Sequence, residues 1–377
     1  MDKFFSKEEI KSLLEQYPFF QNQNKEFVGA SPPDIFIGEY GYPKVNVGII
    51  SPPEIRSVLS SPEEWYKNHL NIKQILTLRA QLINSRFKSD IKESSKNLGV
   101  LQEIVMSKKP AETEFHLNKK PKMNLDLSNK TNPIANNAEL KKAIPRENIK
   151  IERRVEYITR DTDLKSIDAL IDLYNHKTEI TKLNNILSAG LLGLKNNRKL
   201  VPSKWSITAT DDTISKHQIE QIKSYNHIDT IQLFQNNYVG NYYYFILFPR
   251  NWSYEIIEKQ GNLYWQDEEI NFKRKSYAYD VTGGYYAVRL AITEYLTKIK
   301  QQASVLVLRN ITEEYYAPLG VGILRELSRE AFNQQPIIFE TKENLFQYLR
   351  TKISLSEYLI RSKLLKELKQ PSLLKFF

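Results

Sequence analysis

The chain of 377 residues contains no cysteine, only five histidines and only 13 glycines. Without cysteine there is no disulfide, no thiolate nucleophile, no iron–sulfur cluster and no thiolate zinc site. The histidines (His69, His116, His176, His217, His227) are scattered, and no two share the i, i+4 spacing that puts paired imidazoles on one helix face. No zinc is expected, and a metal would have to rest on carboxylates. Long hydrophobic runs are missing too: Tyr242–Pro249 and Ile186–Leu194 fall well short of the ~20 residues a membrane-spanning helix needs. Residues Met1 to Ser6 lack a basic segment leading into an apolar one, so no secretory signal is read; a cytoplasmic location with no membrane partner is expected. The absence of a G-x-x-x-x-G-K-[ST] loop sets aside a P-loop motor.

What is present is an ordinary globular composition, 41% hydrophobic and 26% charged, with room for about two domains. The balance is basic: 54 Lys and Arg against 44 Asp and Glu give a net charge of +10. Clustered cations gain affinity for polyanions by releasing phosphate counterions, so a nucleic-acid partner is the first expectation.

Hydrophobic spacing divides the chain into five segments. Residues 1–106 read as an N-terminal hairpin and helical region. Ser6 and Glu9 form a capping box before a short amphipathic helix at 6–17, and Ser31–Ile50 holds two β-branched runs around a Gly/Pro turn. Ser61-Pro62-Glu63-Glu64 opens a helical pattern over 61–105. The Lys-, Asn- and Pro-rich stretch 107–150 reads as a linker or irregular crossing segment with one strand near 112–117. Residues 151–352 form a mixed α/β core, with helices predicted at 163–175, 179–193, 212–225, 285–300 and 319–332, and strands at 228–235, 242–248, 252–258 and 304–310. A C-terminal helix lies in 353–369, and 370–377 is a flexible tail. The fold class is α+β, a mixed, partly antiparallel sheet flanked by helices.

The tail, Gln370-Pro371-Ser372-Leu373-Leu374-Lys375-Phe376-Phe377, fits the pattern Q-x-x-h-x-x-aromatic-aromatic. In one 3₁₀ turn Leu373, Phe376 and Phe377 share a face, with Gln370 able to hydrogen-bond beside it. Burying each phenylalanine is worth roughly 1.5–3 kcal/mol, so an exposed plug implies a pocket elsewhere, the alternative being a tail that folds back on its own domain. The pattern resembles the box that binds the sliding clamp of DNA replication, PCNA. Lys363, Lys366, Lys369 and Lys375 surround it with positive charge.

Within the core, Arg198, Lys199, Lys204 and Trp205 precede the acidic pair Asp211-Asp212. Cations that meet phosphates beside an indole that stacks on a base suit a nucleic-acid surface. Thr210-Asp211-Asp212 also reads as an N-cap with first-turn carboxylates. Gly283 and Gly284 open a helix with Arg289 in its second turn, a pattern that can bind a phosphate or simply join a loop to a helix. Carboxylates recur at Asp161/Asp163, Glu255/Glu258 and Asp267/Glu268/Glu269. Glu340-Thr341-Lys342 resembles half of a restriction-nuclease motif, with no aspartate partner identified. Glu255 and Glu258, if on a strand, face opposite ways.

Several blocks resemble the archaeal Nre family of DNA repair proteins, its NreA type: Ser31-Pro32-Pro33 with Phe36-Ile37-Gly38, Gly41 to Gly48, Leu187 to Gly193, Arg198 to Asp212, Gly240-Asn241 with Trp252 and Glu255, and Gly283 to Ala291. They span most of residues 27–330. The resemblance implies a role in repairing DNA damage in partnership with the sliding clamp, docked through the tail. Some relatives carry a cysteine-rich zinc-binding segment near the N-terminus; this chain has no cysteine, so that role is not transferred. Two other readings are a clamp-tethered metal-dependent nuclease using Mg²⁺ or Mn²⁺ with Asp211 and Asp212, and an RNA-binding protein.

Overall fold

The structure, a computed structural model, describes residues 24–56, 58–126, 134–270 and 274–368, and Ser12 besides. The capping box and helix expected at 6–17 and the tail at 370–377 lie outside the described residues, Ser12 apart. The chain divides into two compact units. The first holds the residues up to Ile214 with Tyr316–Ile323; the second holds Ser215–Tyr315 and the chain from Leu324 on.

The first unit is built on a seven-stranded sheet. Its elements are β1 (Glu26–Ser31), β2 (Ile35–Ile37), β3 (Lys44–Ser51), α1 (Pro62–Lys67), α2 (Ile72–Ala80), β4 (Ile83–Asp90), α3 (Lys96–Met106), β5 (Ala111–Leu117), β6 (Lys122–Asp126), β7 (Ile134–Pro145), α4 (Arg153–Arg160), α5 (Ser166–Asn175) and α6 (Ile180–Ser188). The strand order is β1-β5-β7-β4-β3-β2, with β6 also on β7. Strand alternation sends Val45, Val47 and Ile49 of β3 into the core. The expected hairpin is present as the antiparallel pair β2–β3, with Phe36 opposite Gly48.

Two expectations change here. The helical pattern over 61–105 is interrupted by β4. Capping boxes at Ser61/Glu64 and Asn71/Gln74 start α1 and α2. After Gln81 the chain pairs with β3 over eight residues, from Ser51 opposite Ile83 to Lys44 opposite Asp90. Tertiary pairing decides the matter for a segment whose apolar spacing is too sparse to set a period. The stretch 107–150, read as a linker or irregular crossing segment, carries β5, β6 and β7, and β7 lies inside the sheet between β5 and β4. The alternation in β5 is regular, with Ala111, Thr113, Phe115 and Leu117 buried, but the intervening Glu112, Glu114 and His116, and the Lys, Asn and Pro residues that follow, give the stretch a linker-like composition.

The helix α7 (Ser203–Ile222) carries the chain from the first unit to the second. The second unit continues with β8 (Asn226–His227), β9 (Ile231–Tyr238), β10 (Asn241–Phe248), β11 (Ser253–Gln260), β12 (Leu263–Glu269), α8 (Gly283–Ile299), β13 (Gln301–Gln302), β14 (Ser304–Ile311), α9 (Val321–Ala331), β15 (Ile337–Phe339), α10 (Lys342–Arg350), α11 (Leu355–Arg361) and α12 (Lys363–Glu367). Its six-stranded sheet runs β12-β11-β14-β10-β9-β15. All neighbours are antiparallel except β11 and β14, which are parallel because α8 makes a crossover between them. The mixed, partly antiparallel sheet flanked by helices is therefore the fold, and the class is α+β. One face packs Ile246, Phe248, Ile257, Leu306 and Leu308 against Leu345, Leu349, Leu355, Tyr358, Leu364 and Leu365 of the last three helices.

The expected C-terminal helix is two, α11 and α12, broken at Ser362. Glu255 explains the break: its carboxylate accepts from the Ser362 hydroxyl at 2.5 Å and from the backbone N–H groups of Lys363 and Leu364 at 2.8 and 3.2 Å. The first turn of α12 is thus satisfied by a strand residue, and the chain re-enters helix in a new direction. No helix among the described residues is long and apolar enough to cross a membrane.

Candidate nucleic-acid interface

In the first unit the β2–β3 hairpin meets the start of α7. Gly41 turns the hairpin with φ +81°, a conformation side chains disfavour, and a Cβ there would lie 2.8 Å from the Lys44 carbonyl oxygen. The Ile37 N–H donates to Ser203 Oγ at 2.9 Å. That bond brings Glu39 beside the first turn of α7, where it accepts from Trp205 Nε1 at 3.2 Å and from Lys204 Nζ at 3.3 Å. The indole of Trp205 lies against Tyr42, ring centroids 5.3 Å apart. These rings are open to solvent: Tyr40 is 86% exposed, Trp205 43% and Tyr42 39%. Large aromatic side chains held outward by an ion-paired carboxylate and flanked by a lysine can receive an unstacked base, with the cation near its phosphate.

The same sheet carries a second polar feature. Phe36, Gly48, Arg86 and Glu139 stand opposite one another in one row across β2, β3, β4 and β7. Gly48 is required there, since a Cβ would lie 1.8 Å from Asn84 Oδ1. Arg86 is half-buried and, among the described residues, has neither a hydrogen-bond nor an ion-pair partner; burial pulls its pKa below the usual arginine value. Nearby, the buried Oδ1 of Asn84 also lacks a hydrogen-bond partner. Glu139, though opposite in register, is exposed and makes no ion pair with Arg86, and a half-desolvated guanidinium without such a pair is relieved by an anion. Lys88, two residues along the same face, is exposed.

The structure separates the other residues singled out from sequence. Arg198 is committed to the backbone: its guanidinium donates to the carbonyls of Gly193, Thr159 and Asp161 at 2.8, 2.6 and 2.5 Å, and burial lowers its pKa. Lys199 is exposed. Asp211 and Asp212 do not cap a helix, because α7 begins at Ser203 and both lie in its interior. Pro202 sets the start, its carbonyl accepting from the Trp205 and Ser206 N–H groups. Asp211 is fully buried, Asp212 is half-buried, and a step of 100° around the helix turns the two carboxylates apart.

Gly283 and Gly284 do open α8, but Arg289 is buried in the second unit. It pairs with Glu269 at 3.1 Å, bonds Ser215 Oγ at 3.2 Å and lies over the rings of Tyr285 and Tyr286. It belongs to a set of buried charges that sequence reading took for scattered carboxylates. Glu258 pairs with Arg309 at 2.6 Å, and Arg309 also donates to Asn241 Oδ1. Asp267 accepts from Arg274 at 2.7 Å and from the Val281 N–H at 2.8 Å. Burial drives the Asp267 carboxyl above the usual range, and those two partners pull it back. Glu255 and Glu258 face opposite sides of the sheet, as strand alternation requires. Among the described residues no group of three or more His, Asp or Glu side chains is arranged to hold a metal. Glu39, Tyr40, Tyr42 and Arg86 escaped the sequence reading, although three glycines clustered between Gly38 and Gly48 marked the hairpin as a place of close backbone approach.

Two family models cover the chain: archaeal Nre, N-terminal, over residues 9–265, and archaeal Nre, C-terminal, over residues 269–377. The chain belongs to the archaeal Nre family. Similar curated Nre relatives include the DNA repair protein NreB of Archaeoglobus fulgidus, 33% identical over 368 residues, spanning 93% of this chain and 92% of the relative. The DNA repair protein NreA of the same organism is 35% identical over 344 residues, 87% of this chain and 86% of its own length. The DNA repair protein NreA of Haloferax volcanii is 30% identical over 363 residues, 89% and 86% respectively. No solved structure matches the chain. The junction between the two Nre models falls in β12, inside the second unit's sheet, so the models do not correspond to the two units.

Proposed function

We propose that this Nre protein is a DNA repair factor that contacts DNA through the aromatic and basic surface of its first unit. It docks on the sliding clamp PCNA through Gln370, Leu373, Phe376 and Phe377. The repair role follows the relatives, which are DNA repair proteins by name over nearly the whole chain. The observation that carries the DNA contact is the open Tyr42–Trp205 ring pair, held by Glu39 next to Lys204. Rings facing solvent stack on bases irrespective of sequence, which suits a factor that must meet damaged or unpaired DNA. The tail supplies the address: a short apolar plug on the end of the chain binds a pocket on another protein and leaves the body free for DNA.

Both halves are tested on the full-length protein. Phe376→Ala with Phe377→Ala is expected to abolish heat of binding to the purified clamp in calorimetry while single-stranded DNA affinity stays unchanged. Wild-type clamp affinity in that variant would remove the tail assignment. Replacing Trp205 should show the reverse pattern, with DNA affinity lost and clamp affinity kept.

A further inference from the structure

The second unit holds a pocket that the aromatic surface of the first does not account for. Its volume is about 610 Å³, and its lining includes Lys223, His227, Arg250, Asn251, Ser253 and Ser304. That volume lies in the range of small-ligand sites, roughly 300–1,000 Å³. Two cations and an imidazole come from separate elements: Lys223 follows the end of α7, His227 is on β8 and Arg250 is in the turn between β10 and β11. His227 Nε2 is 2.7 Å from Asn251 Oδ1, which ties β8 to that turn. Leu368 and Glu367 of the last helical turn close another side.

The charges here are not balanced as they are in the sheet interior. The Arg250 side chain has no ion pair or hydrogen bond among the described residues. Among the described residues the Lys223 ammonium approaches only Glu220, at 3.7 Å and in solvent. Lys342, at the first position of α10, donates to the Leu368 carbonyl at 3.3 Å. Its pKa is lowered by burial and then by the charge of Arg250, with Glu343 acting the other way, so Lys342 sits behind the Leu368 side of the pocket and outside its lining. Glu367 is the one carboxylate in the lining. Arg250 and Lys223 are exposed, and cations gathered around a polar hollow raise the local positive potential that attracts an anion.

We propose that this pocket is a phosphate-binding site for a single nucleotide, with Arg250 meeting the phosphate. Lys223, Asn251 and the serine hydroxyls bound the remainder. The phosphate can come from a DNA strand end or from a free nucleotide. The proposal deepens the DNA-repair reading by giving the second unit a contact of its own. A strand-end phosphate would then be held beside Leu368, the last described residue before the tail.

Fluorescence anisotropy with the full-length protein separates the sources, using single-stranded oligonucleotides bearing a 5′-phosphate, a 3′-phosphate or neither, with adenosine monophosphate measured alone by calorimetry. A terminal phosphate is expected to raise affinity at least fivefold in the wild type. Arg250→Gln and Lys223→Gln should each remove that gain and leave the unphosphorylated strand bound as before. If no oligonucleotide binds, the aromatic-surface reading falls, but adenosine monophosphate bound by the wild type and lost in Arg250→Gln still supports the pocket. Equal affinity for all strands with no monophosphate binding, or a phosphate preference that survives both variants, would overturn the proposal.

Discussion

The sheet interior of the second unit and the hairpin-side surface of the first treat their charges differently, although the first also holds a buried matched pair, Arg79–Asp34 at 2.7 Å. In the second, Glu258–Arg309, Glu269–Arg289 and Asp267–Arg274 are buried pairs, each with additional hydrogen-bond partners around it. In the first, Arg86 is half-buried with no ion-pair or hydrogen-bond partner among the described residues, and the aromatic residues Tyr40, Tyr42 and Trp205 face solvent beside an ion-paired Lys204. The difference distinguishes charge used to build from charge kept for recognition. A buried arginine with its acid matched is part of the scaffold, whereas one left unmatched marks a surface that is completed by something else.

The sharpest way to break the contrast is to remove one partner of a scaffold pair. Arg309→Ala leaves Glu258 charged and buried, and a loss of about 3–5 kcal/mol is expected, read as a lower midpoint in urea unfolding. Combining Glu258→Leu with Arg309→Met should recover most of it. If the single and double variants are equally damaged, the pair does not act as a unit. The next effect is on binding: Trp205→Ala should cost about 1–3 kcal/mol of stacking, a fall of about 5- to 150-fold in affinity for single-stranded DNA, without moving the urea midpoint.

Arg86→Met sharpens the comparison from the other side. Removing a half-buried, unmatched guanidinium should leave stability unchanged or raise it by up to about 1 kcal/mol, while weakening DNA binding and reducing its salt dependence. A destabilised variant would place Arg86 with the scaffold. The smallest effect concerns a partly exposed pair, Arg154 and Asp172. The hydrogen bond from Arg154 chiefly lowers the Asp172 pKa, so the pair's contribution is present above the unfolded aspartate value, near 4, and is lost as pH falls through the depressed folded value. Asp172→Asn should cost less than about 1 kcal/mol at pH 7, because solvent screens the pair, and the gap should narrow steadily in unfolding curves taken below about pH 4.

Much of the fold was legible where one period dominates. The strands near 242–248 and 304–310, the helix near 285–300 and the crossover it makes all follow from apolar runs of the right length. Legibility failed where long-range pairing decides. Ile83–Asp90 has no strong period and becomes a strand only because β3 lies beside it. Residues 107–150 look like a linker because their outward positions are lysine, glutamate and asparagine. At the candidate site, Lys204 and Trp205 were visible as a basic and aromatic block, but their partner Glu39 lies 165 residues away and is brought in by a hairpin. Arg198 and Arg289 carried the same positive signal and turned out to hold backbone carbonyls and a buried glutamate. Charge in a sequence shows where a cation is, and only the fold shows whether it already has a partner.

The most direct measurement is the affinity of the Tyr42→Ala, Trp205→Ala double variant for a single-stranded oligonucleotide, taken beside its urea midpoint. The expected result is a loss of at least tenfold in affinity at an unchanged midpoint. Wild-type affinity in a folded double variant would contradict the assignment of DNA contact to the first unit.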